Sequence, residues 1–151
     1  MNEALPYSNL TLLQALEAFR KEHDLEEKYL DMRTEAQEHF ERHDIVHVLF
    51  GLDTSIRQEA QADSWTIFGT DISLKHIMDF FGLPEEKELI KEIGWWAITK
   101  AYFQGIPDGL RIAWRARKLR KKWRWSDNAK YRSARVEDIR SEFGIQRALA
   151  G

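Results

Sequence analysis

The stretch "ERHDIVHVLFGLDTSIRQE", residues 41–59, decides the fold. Ile45, Val46, Val48, Leu49 and Phe50 crowd the end of a helical pattern, as a helix end buried on several sides requires. Gly51 fits the C-terminal cap of that helix, and Asp53 fits the cap of a returning one. The spacing therefore predicts a tight turn over Gly51 to Asp53, centred near residue 52, between two antiparallel helices. His43 and His47 lie one helical turn apart, about 40° apart in projection, and Asp44 sits about 60° from His47. The histidine midpoint falls seven residues before the turn centre and Glu59 seven after it. At about 1.5 Å per residue, Glu59 returns level with the histidine pair.

Two imidazoles with one or two carboxylates form a mixed nitrogen and oxygen site for a borderline divalent ion. Zinc fits best by ligand type, and Fe(II), Mn(II) or Co(II) would also fit. The candidate ligands are His43, Asp44, His47 and Glu59. Asp44 and Glu59 are also the candidate catalytic carboxylates, Asp44 as a fourth ligand or as the group that orients bound water or substrate. An open coordination position would make the ion a Lewis acid or a water activator. No glutamate follows His43, so the zinc-protease H-E-x-x-H pattern is missing and peptide hydrolysis is not expected. The competing reading is a pair of core histidines in an ordinary charged helix, with Asp44 paired to Arg42 or Arg57 on the surface.

Around this hairpin the pattern is helical throughout. The 151 residues hold 8 glycines, 3 prolines and no cysteine, with 43% hydrophobic and 32% charged content. Such a composition suits an all-α, single-domain helical bundle of about six to seven helices spanning residues 1–151. The missing cysteine removes disulfides, thiolate metal sites and a thiol nucleophile.

A first helix is expected from Ser8 or Asn9, with Leu12, Leu13, Leu16 and Phe19 at helical spacing. Asp24 with Glu27 reads as a capping-box variant opening one long second helix that runs to Gly51. The third helix runs from Asp53 to about Phe68 and stops at Gly69. A short fourth, "LKHIMDFF", opens at Asp71 or Ser73 and ends at Gly82 and Pro84. The fifth is "PEEKELIKEIGWWAITKAYFQ", after which "GIPDG" is expected to turn the chain into a basic helix "LRIAWRARKLRKKWRW". A last short helix, "VEDIRSEF", stops at Gly144.

The pattern "HDIVHVLFGLDTSIRQE" resembles the ubiquinone biosynthesis family of the fourth Coq protein, whose signature is H-D-x-x-H, eleven further residues, then E. His43, Asp44, His47 and Glu59 match it with the full spacing, and "HDIVHVLFG" matches its apolar flank and glycine. "WAITKAYFQG" and "VEDIRSEFGI" are similar to later segments of that family. The resemblance implies an all-α protein that binds a divalent metal, commonly zinc, through these residues. It further implies action on a prenylated hydroxybenzoate-type ring in coenzyme Q biosynthesis, removing the ring carboxylate oxidatively with hydroxylation at the same carbon. It also implies a role in organising other quinone-biosynthesis proteins on a membrane. Whether this chain is an enzyme or a lipid- or partner-binding scaffold of the same pathway stays open at this point. A more remote alternative is an HD-type metal phosphohydrolase using His43-Asp44, a pattern that leaves His47 and Glu59 without a role.

The net charge of −2 conceals an asymmetry. Residues 111 to 132 hold ten Lys/Arg against Asp127 alone, a local +9, so the remainder carries −11. Trp123 and Trp125 among these cations suggest a face for an anionic membrane surface over residues 111–125. A solvated basic face is the competing reading; nucleic acid is disfavoured, because no nucleic-acid fold signature accompanies the segment. The tryptophans, with Phe68, Phe80, Phe81, Tyr102 and Phe103, are expected to form bundle core, or else a pocket for an isoprenoid tail. His39 is expected off the metal site, Asp24 beside His23 as a helix cap, and His76 in packing or on the surface. No signal-peptide pattern and no run of about 20 apolar residues is visible, so the expected location is the cytoplasm or the inner face of a membrane, held peripherally. A homodimer is a further possible assembly.

Overall fold

The computed structural model describes residues 5–81 and 84–150. The fold is all-α. Among the described residues there are nine α-helices and one 3₁₀ turn: α1 (Leu12–Glu22), α2 (Glu26–Leu30), α3 (Thr34–Phe50), α4 (Ile56–Gly69), α5 (Leu74–Phe81), α6 (Pro84–Ile93), α7 (Trp95–Ala116), the turn Ala129–Tyr131, α8 (Val136–Phe143) and α9 (Ile145–Leu149). The count exceeds six or seven because the expected second helix is split and a short α9 follows Gly144. Gly82, expected to end α5, lies outside the described residues.

α1 begins later than Ser8. Thr11 is its N-cap, its hydroxyl accepting from the Gln14 backbone while the Gln14 side chain accepts from the Thr11 N–H, a full capping box. Leu12, Ala15, Leu16 and Phe19 form its buried stripe, whereas Leu13 faces outward. Asp24 does not cap α2. It adopts a left-handed backbone (φ 55°), which aspartate tolerates better than most residues, and Leu25 takes the N-cap place without a side-chain bond. The stretch between α2 and α3 is a turn because the Gln37 side chain donates to the Tyr29 and Leu30 carbonyls, replacing continued helix bonds.

α3 ends at Gly51, whose left-handed φ of 68° makes the expected cap, its N–H donating to the His47 carbonyl. The fully buried Arg140 from α8 completes that helix end. Its Nε donates to Leu49 O at 2.8 Å, its Nη2 to Val48 O at 2.6 Å and its Nη1 to Ser8 Oγ at 2.9 Å. Burial pushes its guanidinium down to about 10. Asp53 accepts from Ser55 N at 2.8 Å, and Ser55 rather than Asp53 is the N-cap of α4. The linker therefore covers residues 51–55 and is centred one residue later than expected.

Two expectations further along are overturned. Gly94 (φ 87°) breaks the fifth helix into α6 and α7, because only glycine takes that backbone at low cost. "GIPDG" then lies inside α7, Pro107 included, rather than in a turn. Its two glycines share one helical face against α4. A Cβ on Gly105 would meet the Ala60 Cβ at 3.6 Å, and one on Gly109 the Ser64 Oγ at 3.4 Å. The close contact of α4 with α7 explains why a glycine-rich stretch is helical here: tertiary packing overrides local propensity.

The basic helix expected through Trp125 ends at Ala116. Residues 117–128 follow an irregular path fastened to the end of α4, with Trp123 N–H donating to Gly69 O and Asp71 N–H to Trp123 O, both at 2.9 Å. Trp123 and Trp125 are each 1% exposed, so they belong to the core and do not form a membrane-facing pair. Trp123, Tyr131 and Phe143 pack with ring centroids 5.0 to 5.4 Å apart. Phe50 stacks on Trp65 at 4.2 Å, tying α3 to α4. The tryptophans thus divide: Trp65, Trp123 and Trp125 are core, while Trp95, Trp96, Trp114 and Phe103 are exposed, so they do not line one common pocket. The side chains of Phe80, Phe81 and Tyr102 lie outside the described residues. No helix among the described residues is long and apolar enough to cross a membrane.

Candidate metal centre

The α3–α4 hairpin sets the candidate site. Because its linker is centred on residue 53, His47 faces Glu59 and, one turn further from the linker, His43 faces Asp63. His47 Nε2 lies 3.3 Å from Glu59 Oε2, and His43 Nε2 lies 3.2 Å from Asp63 Oδ1. Ligand atoms of His43, His47 and Glu59 all fall within 4.8 Å of one another. The two imidazoles sit edge to face, centroids 4.8 Å apart, with Phe19 of α1 5.4 Å from His47.

Burial is graded across the site. His47 is 1% exposed and Glu59 41%, so the cluster has a sealed histidine floor and a carboxylate rim open to solvent. His47 Nδ1 is buried without a hydrogen-bond partner among the described residues. Two imidazoles and a carboxylate at these separations fit a borderline divalent ion such as zinc.

The electrostatics agree with a site built for positive charge. Burial disfavours a charged His43, but the hydrogen bond and charge of Asp63, with the charges of Glu59 and Asp44, outweigh it and raise the imidazole to about 9. A His43 imidazole held up to about 9 carries its proton at neutral pH, and an ion bound there would have to displace it.

Asp44 is not one of the three converging groups. Its Oδ2 accepts from Arg20 Nε at 2.8 Å, a contact reaching from α1, and burial raises its carboxyl despite the opposing hydrogen bond and charge of Arg20. Arg20 itself lies over the Tyr29 ring at 3.7 Å, with Glu41 4.0 Å from its Nη2. The His43-Asp44 dyad is therefore divided, His43 turned to Asp63 and Asp44 to Arg20. Neither Arg42 nor Arg57 takes Asp44: Arg42 pairs with Glu38 and Arg57 with Asp108.

His39 stands apart from the three ligand groups. It is half-buried with its ring 5.3 Å from that of Trp125. Burial foremost, then the charges of His43 and Arg42, hold it down to about 3. His23 Nδ1 lies 3.2 Å from Thr54 Oγ1, and His76 Nδ1 lies 2.7 Å from Ser73 Oγ; neither belongs to the three converging groups. Within 111–125, Arg124 pairs with Asp71 and Asp127 and Lys121 with Glu142, so part of the basic charge is neutralised inside the fold.

Asp63 and Arg20 are not among the residues that the sequence pattern singles out. The signal for Asp63 was present: Glu59 and Asp63 repeat the four-residue spacing of His43 and His47, mirrored about residue 53. Arg20 carries no comparable signal, because its partner lies 24 residues away on another helix.

A scan against family models, a search of curated proteins and a search of solved structures each returned no match for this chain.

Proposed function

We propose that this protein is a divalent-metal-dependent enzyme of prenylquinone biosynthesis, acting on a prenylated hydroxybenzoate-type ring. The observation that carries the metal assignment is the convergence of His43, His47 and Glu59 within 4.8 Å. The substrate and reaction rest on the resemblance of H-D-x-x-H and the distant glutamate to the ubiquinone biosynthesis family.

His43, His47 and Glu59 would hold the ion, zinc by ligand type or Fe(II), Mn(II) or Co(II). Bound there, the ion supplies a Lewis acid for an anionic oxygen of the ring substrate. Asp63 would orient the His43 imidazole through the contact between its Oδ1 and His43 Nε2. Asp44, fixed by Arg20, adds negative charge beside both histidines. Glu59, on the solvent side, is placed to meet substrate first. In the proposed reaction the ring carbon would lose its carboxylate as carbon dioxide and gain a hydroxyl from water, while dioxygen takes up the two electrons and two protons as hydrogen peroxide.

The test is conversion of a polyprenylated hydroxybenzoate by the metal-loaded protein in air, followed by mass spectrometry. The expected product has lost carbon dioxide and gained one oxygen. Unchanged substrate with loaded wild-type protein would overturn the reaction. A second reading, a lipid- or partner-binding protein of the same pathway without catalysis, is favoured by the exposed Trp96 and Phe103.

A further inference from the structure

We propose that the outward face of α7 is the seam of a two-fold dimer, in which α7 of one copy lies antiparallel against α7 of a second. The inner face of this helix is occupied: Gly105 and Gly109 lie against α4, and Ile112 is 4% exposed. On the opposite side Trp96, Phe103 and Leu110 recur every seven residues at 82%, 69% and 69% exposure, with Ile106 between them at 52%. Thr99, Ile106 and Ala113 supply the intervening positions, so the face has the alternating three- and four-residue spacing of a helix-pairing seam. A strip about 27 Å long, 18 residues from Trp96 to Trp114, runs along one helix.

The size of the face suits a second copy. Trp96, Phe103, Ile106, Leu110 and Trp114 together present roughly 700 Å² of apolar surface, at about 150–250 Å² per aromatic side chain. That exceeds the roughly 300–600 Å² of the largest patch on a typical monomer. It approaches the ~800 Å² per partner of a standard interface before flanking side chains are counted.

Shape and charge are self-complementary when the two helices run antiparallel. Centring the pair between Phe103 and Ile106 sets Phe103 against the second copy's Ile106, Trp96 against its Ala113 and Leu110 against its Thr99, large beside small. Along the chain, α6 carries four glutamates and two lysines, whereas residues 110–118 carry four cations and no acid. Antiparallel pairing brings residues 111–118 of one copy to the α6–α7 junction of the other, where α6 supplies the acids.

The chain has no cysteine, which makes cross-linking diagnostic. Sedimentation velocity of the full chain is expected to show twice the 17.9 kDa chain mass. Phe103→Glu, a change on the exposed side of the helix, is expected to weaken association by more than roughly tenfold with an unchanged circular dichroism spectrum. Oxidising a mixture of Thr99→Cys and Leu110→Cys chains is expected to give the mixed disulfide, with neither variant cross-linking alone. A monomer at every concentration, or cross-linking of Thr99→Cys with itself, would overturn the proposal. So would a monomer that floats with phosphatidylcholine–phosphatidylserine vesicles and loses this on Phe103→Glu, since the face would then be a lipid surface.

Discussion

His43 Nε2 lies 3.2 Å from Asp63 Oδ1, one helical turn along from the His47–Glu59 pair, so that two histidines of α3 face two carboxylates of α4 rung by rung. Asp63 is therefore the group that keeps His43 charged in the metal-free protein. Asp63→Asn is expected to bring the His43 imidazole down from about 9, observable in an NMR titration of metal-free protein. A His43 value unmoved by Asp63→Asn would refute this role. The sign for stability follows: the proton on His43 stabilises the fold fully below its ordinary value near 6.5, and that contribution is lost as pH rises through about 9. Affinity for an ion held by His43 is expected to run the other way, rising with pH until the imidazole is deprotonated.

His39 behaves oppositely. Burial against Trp125 keeps its imidazole neutral down to about 3, while the unfolded chain takes up the proton near 6.5. Its contribution is present above 6.5 and declines steadily between 6.5 and about 3. Denaturation midpoints of wild type and His39→Gln across this range should diverge, the variant showing the shallower acid decline. Parallel curves would show that His39 is solvated in the native state.

How much of this was legible in the sequence depends on range. The α3–α4 hairpin was legible because Gly51 and the Ile45–Phe50 cluster act locally, and Glu59 follows from helical rise alone. Placing the linker one residue early hid the His43–Asp63 rung. Asp44 looked like a ligand because the partner that claims it, Arg20, sits on α1. The "GIPDG" stretch misled because glycine and proline are turn formers locally, whereas their value here is close approach to α4. Trp123 and Trp125 were read as exposed since their neighbours are basic, yet the irregular path from Arg117 turns both rings inward.

The helical state of Gly105 has a sharp consequence. Its Cβ would be in ordinary contact with Ala60 at 3.6 Å, and its φ is not in the left-handed region. Gly105→Ala should be neutral or stabilising by up to about 1 kcal/mol, whereas Gly105→Leu should cost about 1–3 kcal/mol by forcing α7 off α4. Urea unfolding of the pair distinguishes this from a turn, in which alanine itself would destabilise.

Arg140 fastens the end of the helix that carries both histidines. Arg140→Leu strands the Val48 and Leu49 carbonyls and should cost on the order of 3 kcal/mol in denaturant unfolding. Arg140→Lys, which cannot reproduce the forked geometry, should recover only part of this. A loss under about 0.5 kcal/mol for Arg140→Leu, the scale of an ordinary surface change, would contradict the packing described.

His43, His47 and Glu59 converge as one candidate divalent-metal site. Elemental analysis after reconstitution with zinc and removal of free ion tests it most directly, on wild type and on Glu59→Gln, an isosteric change at the solvent-facing rim. One ion per wild-type chain, with most of it lost in the variant, is the predicted result. No retained ion in the wild type, or equal retention by Glu59→Gln, would contradict it.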